Sequence, residues 1–248
     1  GRVKFTALAL IGLAGLGLAS LGLVAGYQAL LTSPFFEMKR LTISGHQRLS
    51  RTEITKLTGL KPGMSLLRLN LKAVRTRLEA SPWVAQAHLR RVLPDELRIH
   101  LVERRPRAIL AAGDLWYVDD QGQVFKKVNP KKRLDMPVIS GLDPGQLDLA
   151  PAKADLAQSL KILRLLSRPG APLGLNQLSE IQFSPASGAI LHPLTQGPRI
   201  ILGRGLIGLK IKHWRQVKAD LTSKGLWSQI AYIDLRFKDR AFVGLRSG

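Results

Sequence analysis

The hydrophobic pattern of this chain has two regimes. From Phe5 to Phe36 there are 32 consecutive positions without a charged residue, bounded by Lys4 and Glu37. About 20 apolar residues suffice to cross a bilayer as a helix, and Phe5–Leu31 supplies them before Pro34 stops the run. A cleaved leader would show a shorter apolar stretch followed by a small-x-small site. Here Ala7-Leu8-Ala9 lies at the start of the run, where it cannot serve. The pattern predicts a retained single-pass anchor over residues 5–33, with residues 1–4 as the remnant of a tail beyond it. Within it Gly12, Gly15, Ala19, Gly22 and Gly26 are spaced 3, 4, 3 and 4. That spacing makes a seam of small residues suited to close helix packing, although Gly and Ala are common enough in this helix to align by chance.

Beyond Glu37 the periods shorten. Residues 38–46 alternate up to Gly45 and predict a strand. Ser50-Arg51-Thr52-Glu53 has the form of a capping box and opens a short helix ending at Gly59. Asn70 caps a second helix over Leu71–Glu79. Trp83–Arg91 and Leu97–Val102 alternate around a Pro94-Asp95 turn. The order strand, helix, helix, strand, strand fills about 70 residues (38–107) and marks an α+β unit. Residues 108–248 read as a second, mainly antiparallel β-domain. Strands are predicted at Ala108–Ala112, Leu115–Val118, Gln123–Lys127, Pro137–Ser140, Leu178–Phe183, Ala189–Leu191, Arg199–Leu202, Ile230–Phe237 and Ala241–Leu245, and helices at Ala152–Ser167 and Leu206–Ser223.

Charge adds a partner question. The 248 residues hold 38 Lys and Arg against 17 Asp and Glu, a formal charge of +21, which suggests an anionic counterpart. The excess is spread, with 16 Lys and Arg against 6 acids in residues 37–110 and 20 against 11 in 111–248. Nucleic-acid modules concentrate charge on one face, often with exposed aromatics, and aromatics are only 6% of this chain. The Lys126–Arg133 cluster and the Lys210–Lys218 helix face read as solvated surface. Flanking charges do not fix the orientation of the anchor: Arg2 and Lys4 precede it, but Lys39, Arg40, Arg48 and Arg51 follow.

Candidate chemistry is sparse. Without cysteine there is no thiolate metal site, disulfide or Cys nucleophile. No HExxH or GxSxG motif occurs. His88 and His100 fall in strands as surface positions. Asp119-Asp120 suits a hairpin turn. Gly203-Arg204-Gly205 superficially resembles a phosphate loop, but a tight strand-to-helix connection explains it better. The residues therefore predict a protein that is not an enzyme, with no catalytic residue, metal or cofactor.

Four segments carry a family resemblance. Val92-Leu93-Pro94-Asp95-Glu96-Leu97-Arg98-Ile99-His100-Leu101-Val102-Glu103-Arg104-Arg105-Pro106 resembles the Pro-acid-x-Leu-x-Ile-x-(Leu/Val)-x-Glu-x-x-Pro signature that closes the POTRA domain of the FtsQ/DivIB bacterial division proteins. Trp116–Gly122 is similar to that family's hairpin, Leu202-Gly203-Arg204-Gly205 to its Leu-Gly-x-Gly, and Tyr232-Ile233-Asp234-Leu235-Arg236-Phe237 to its late strand. The resemblance implies a non-catalytic inner-membrane scaffold at the division septum, single-pass, with the large part periplasmic and a short cytoplasmic tail. It implies contact with an FtsB/FtsL pair through an added strand at the carboxy-terminal strands, and with other divisome components through the POTRA domain and the anchor. Membrane lipid is a further neighbour, and no nucleic acid is expected. Carried over by position, the contacts come from Arg236, Phe237, Lys238, Asp239, Arg240, Ala241, Phe242, Val243, Gly244 and Leu245. Arg236 would pair with an acidic partner group and Phe237 would be an apolar anchor. Phe237 stands where relatives often have Tyr, and Leu245 where many have an aromatic. A membrane-tethered nucleic-acid binder and a wall-modifying enzyme are the two other readings.

Overall fold

The computed structural model describes residues 2–129 and 135–246, with only the backbone described at residues 2–11 and 14. Lys131, Lys132 and Arg133 of the basic cluster lie outside the described residues. The chain divides into two compact units, Gly1–Arg104 and Arg105–Gly248.

The first unit opens with α1 (Arg2–Leu31). From Gly12 to Leu30 its described side chains are exposed, including Leu13, Leu16, Leu21 and Leu23. A Cβ placed on Gly12, Gly15, Gly22 or Gly26 would meet nothing within 4 Å. Among the described residues no helix is long and apolar enough to cross a membrane. At the end of α1 the Leu31 carbonyl accepts from Ser65 Oγ at 2.7 Å, which ties the helix to the loop around that serine.

The rest of the unit is a three-stranded sheet in the order β1 (Arg40–Ser44), β3 (Glu96–Glu103), β2 (Val84–Val92). β1 runs parallel to β3 and β2 antiparallel to it. The parallel pair needs a crossover, supplied by α2 (Arg51–Thr58), α3 (Leu71–Glu79) and β2. The capping box at Ser50 and Glu53 is formed, and Gly59 closes α2 in the left-handed region at φ 67°. Asn70 caps α3 by accepting from the Ala73 N–H. Ile54, Val74 and Leu78 from the helices meet Leu97, Ile99 and Leu101 from β3 in one core. Simple alternation sets Val84 and Ala87 on opposite faces, yet both are buried. A β-bulge between Val84 and Gln86 supplies the extra residue that brings both inward.

Two carboxylates fix this unit. Glu103, at the end of β3, accepts backbone N–H groups from Gln47, Arg48 and Leu49 at 3.1, 2.8 and 2.9 Å. Glu96 lies buried between Arg98, which donates at 2.8 and 3.0 Å, and the Thr42 hydroxyl at 2.9 Å. The hydrogen bonds from Arg98 and then Thr42 hold its pKa down to about 2. On the open face of the sheet His88 and His100 stand opposite one another, stacked with centroids 6.2 Å apart, and both are exposed.

The second unit is built on one nine-stranded sheet, ordered β12-β11-β10-β9-β8-β7-β4-β5-β6. Its strands are β4 (Pro106–Ala112), β5 (Asp114–Asp119), β6 (Val124–Lys127), β7 (Val138–Ser140), β8 (Leu178–Ser184), β9 (Gly188–Pro193), β10 (Arg199–Gly203), β11 (Ile230–Asp234) and β12 (Phe242–Leu245). Five of its neighbouring pairs are antiparallel, while β4–β7, β7–β8 and β10–β11 are parallel. The sheet is thus mixed, more so than the alternating pattern implies. The two long helices account for two of the three parallel pairs, because α4 (Ala150–Leu166) links β7 to β8 and α5 (Ile207–Ser223) links β10 to β11, while β4 reaches β7 through the β5–β6 hairpin. Both helices pack on the sheet through a single core that includes Leu110, Ile162, Leu166, Ile181, Ile200, Trp214 and Ile233.

Removing the Glu103 carboxylate (Glu103→Ala) leaves three backbone donors without their acceptor. The N-terminal unit is expected to lose about 1–3 kcal/mol, read from urea unfolding with Trp83 as the reporter. Glu96 has a lowered folded-state pKa, so its contribution is fully present above the unfolded value near 4.3 and disappears as pH falls through about 2. The Glu96→Gln variant is therefore expected to flatten the pH dependence of this unit's stability between those two values, measured by denaturant midpoints along an acid series.

Candidate functional site

One end of the sheet is β12, a four-residue strand that among the described residues pairs only on its β11 side. Its register matches Ile230 with Leu245, Tyr232 with Gly244, Ile233 with Val243 and Asp234 with Phe242. An edge strand offers a row of backbone N–H and C=O groups to another chain, and proteins usually blunt such edges. This one instead carries apolar side chains. Phe237 and Phe242 are each 48% exposed and Leu245 is 64% exposed, with Tyr232 and Val243 beside them. The Phe237 and Phe242 rings meet edge to face at 5.0 Å across the connecting turn, a favoured aromatic geometry. Lys238, Asp239 and Arg240 form the exposed turn, and none of them has an ion pair among the described residues.

Gly244 has a specific task in this edge. A Cβ there would lie 2.1 Å from Cε1 of Tyr232, so the Tyr232 ring lies across the glycine of the partner strand. At the far end, the Arg246 N–H donates to the Gln229 carbonyl at 2.8 Å and its Nε to the Ile230 carbonyl at 3.1 Å.

Alternation extends the eleventh strand to Phe237, but β11 stops at Asp234. The reason is local. Leu235 drops into the core, fully buried, and Asp234 captures the residue beyond it. Its carboxylate accepts the Arg236 N–H at 3.0 Å, Nε at 3.0 Å and Nη2 at 2.6 Å. Burial alone would raise the Asp234 pKa, but the side-chain and backbone hydrogen bonds from Arg236 outweigh it and hold the pKa below the ordinary value. The same pairing raises Arg236. Arg236, expected to reach toward a partner's acid, pairs with Asp234 at the end of β11 while its side chain stays 41% exposed, and the last strand begins at Phe242 rather than Ala241.

Beneath this turn lies the Gly203–Leu206 connection. Gly203 adopts φ 70°, and a Cβ on it would press within 2.9 Å of Arg236 Cγ. Arg204 forms a bidentate pair with Asp155 of α4, at 3.0 Å on both oxygens. Gln158 donates to the Gly203 carbonyl and accepts from the Gly205 N–H. Buried Lys210 donates to the Leu202 and Arg204 carbonyls at 2.7 and 3.1 Å; burial lowers its pKa, against the opposing pull of Asp234. These groups cap the strand and helix ends internally, as a tight strand-to-helix connection requires. Asp234, Lys210, Asp155 and Gln158 escaped sequence reasoning because only the sheet order brings them together. Asp234, Arg204 and Lys210 lie inside noticed segments, but Lys210, read as part of a solvated helix face, is instead buried because its ammonium group caps the Leu202 and Arg204 carbonyls, and nothing in spacing marks Asp155 and Gln158.

Among the described residues no group of three or more His, Cys, Asp or Glu could hold a metal ion. The residues gathered at β12 are apolar, hydrogen-bonding and cationic, an arrangement that can bind a peptide strand.

Comparison with known proteins matches both units. A family model described as "POTRA domain, FtsQ-type" matches residues 36–104, and one described as "Cell division protein FtsQ/DivIB, C-terminal" matches residues 108–236. The chain is 35% identical over 224 residues to a cell division protein FtsQ of Syntrophotalea carbinolica, covering 89% of this chain and 78% of that one. It is 32% identical over 242 residues to the FtsQ of Myxococcus fulvus, covering 95% and 84%. With Geobacter sp. strain M21 FtsQ the identity is 32% over 219 residues, covering 88% and 79%. Matched along both units and over most of its length, the chain belongs to the FtsQ/DivIB family of cell division proteins.

Proposed function

We propose that this protein is a non-catalytic scaffold of the division machinery that links early and late division proteins and holds an FtsB/FtsL pair at the β12 edge. The observation that carries this reading is an edge strand bearing an exposed Phe237–Phe242 pair at one end of the nine-stranded sheet. A partner segment adds as a further strand beside β12, its backbone pairing with Phe242–Leu245 and its apolar side chains covering Phe237, Phe242 and Leu245. Lys238 and Arg240 offer cations to acidic flanks of that segment. Arg236 acts by position: held by Asp234, it sets the turn from which Phe237 projects.

The same reading makes residues 5–33 a single inner-membrane anchor, with the two units periplasmic at the septum. What supports it is the uncharged stretch between Lys4 and Glu37 and the exposure of the described apolar side chains of α1. Gly12, Gly15, Ala19, Gly22 and Gly26 form the seam through which this helix packs on a neighbouring one, and the POTRA unit contacts other division components.

Phe237→Glu is expected to weaken capture of the FtsB/FtsL pair by the full chain by at least about 30-fold, the loss of a hot spot of roughly 2 kcal/mol, with the melting temperature unchanged. Unaltered capture would exclude the edge. Gly244→Ala is expected to displace Tyr232, cost about 1–3 kcal/mol by overpacking and reduce capture as well, measured by thermal unfolding and pull-down together. For orientation, alkaline phosphatase fused after residue 248 is expected to be active; an inactive, stably expressed fusion would contradict a periplasmic location.

A further inference from the structure

The second unit carries a cavity that the β12 site does not use. It measures about 230 Å³ and lies between α4, the start of β4 and the turn joining β5 to β6. Leu160, Leu163 and Leu175 line it, and the first two belong to the main core, so the core surfaces here. Its walls are fixed. Asp119 Oδ1 accepts the N–H groups of Gln121 and Gln123 at 3.0 and 2.9 Å. Gly122, at φ 85°, lets the turn close on α4, where a Cβ would stand 3.2 Å from Leu160 Cδ1.

The rim is charged and uncommitted. Arg107, Arg164 and Asp120 all border the cavity and all are exposed. Neither Arg107 nor Asp120 has a side-chain hydrogen bond or ion pair among the described residues, and Arg164 donates only to the Leu160 carbonyl of its own helix, at 3.4 Å. Two guanidinium groups and one carboxylate thus share one opening without pairing. Guanidinium groups recognise carboxylates in a planar, bidentate way, and a lone carboxylate beside them accepts a backbone N–H. The cavity is smaller than the roughly 300–1,000 Å³ of cofactor and drug-sized sites, a size that suits one large apolar side chain. A polyphosphate strand would find an apolar floor and a rim carboxylate, both unfavourable to it.

We propose that this cavity is a second docking site, which takes an acidic peptide segment of a partner protein by burying one apolar side chain over Leu160, Leu163 and Leu175 while Arg107 and Arg164 bind its flanking carboxylates. The excess positive charge of the whole chain favours the same partner sign. The site is separate from the β12 edge and stands whether or not that edge binds FtsB.

The test is selection of a displayed random heptapeptide library on the full chain in detergent, carrying Phe237→Glu to disable the β12 edge. Enriched peptides are expected to place Asp or Glu within two positions of Leu, Ile, Met or Phe. Their affinity, measured by fluorescence polarisation, is expected to fall at least tenfold on the Arg107→Glu, Arg164→Glu double variant and again on Ser167→Trp, which fills the cavity from its exposed rim. Because Ser167→Trp leaves the charges in place, it keeps the test decisive if the double variant misfolds. No enrichment, enrichment without acidic residues, or affinity untouched by the rim and cavity variants would overturn the proposal. So would oligo-dT binding lost on the same charge reversal in the absence of peptide binding, which would assign the rim to phosphates.

Discussion

The Asp234 carboxylate is the constraint on which the exposed edge depends. It sits buried at the end of β11 and takes the Arg236 backbone N–H and two guanidinium nitrogens at once. Burying one carboxylate without partners costs several kcal/mol, and such a cost is met only when the remaining lone pairs are bonded. Here every donor comes from two residues further along the same chain. The bond therefore does two things: it ends the strand, and it sends Phe237 outward over a turn fixed from below by Gly203. A longer β11, continuing as the alternation suggests, would have directed Arg236 and Phe237 to opposite faces and closed no hairpin at Asp234.

The surroundings of this turn are internally complete, which gives the edge its meaning. Lys210, Arg204, Asp155 and Gln158 satisfy the carbonyls and N–H groups of the strand-to-helix connection. On the other side Tyr232 lies across Gly244. Rigid support on both sides makes the exposed phenylalanines costly to retain, because they forfeit burial at about 25 cal/mol per Å² of apolar surface and leave a strand edge open to aggregation. A covering partner removes both costs. The proposed cavity beside α4 follows the same logic at a different place in the sheet, with fixed walls and uncommitted charges at its mouth.

Local structure was legible in the sequence; register was not. The capping box at Ser50 and Glu53, the Asn70 cap and the extent of α3 follow from residue type and spacing alone. The hairpin at Asp119–Gly122 is equally local, since Asp favours bonding to N–H groups two residues on. The bulge beside Ala85 was hidden because alternation assumes one residue per rung. The parallel pairings β7–β8 and β10–β11 were hidden for a related reason: a crossover helix is visible in a sequence, but its destination is set by packing against the whole sheet, and β4–β7 arises without a helix, the chain returning past the β5–β6 hairpin. The site divides in the same way. Family-like residues pointed to Phe237–Leu245, whereas the commitment of Arg236 to Asp234 and the placing of Tyr232 over Gly244 need cross-strand geometry. Glu103, an unexplained signature position in the sequence, becomes the acceptor for three N–H groups once β3 lies beside the 47–49 loop.

The central claim is that the β12 edge receives a partner strand, and amide hydrogen exchange of the full chain with and without the FtsB/FtsL pair tests it most directly. Protection on binding is predicted to concentrate in residues 242–245 and the adjoining 236–241 turn, with the amides of β9 and β10 unchanged. Binding accompanied by unaltered exchange in 242–245, with protection appearing elsewhere, would contradict it.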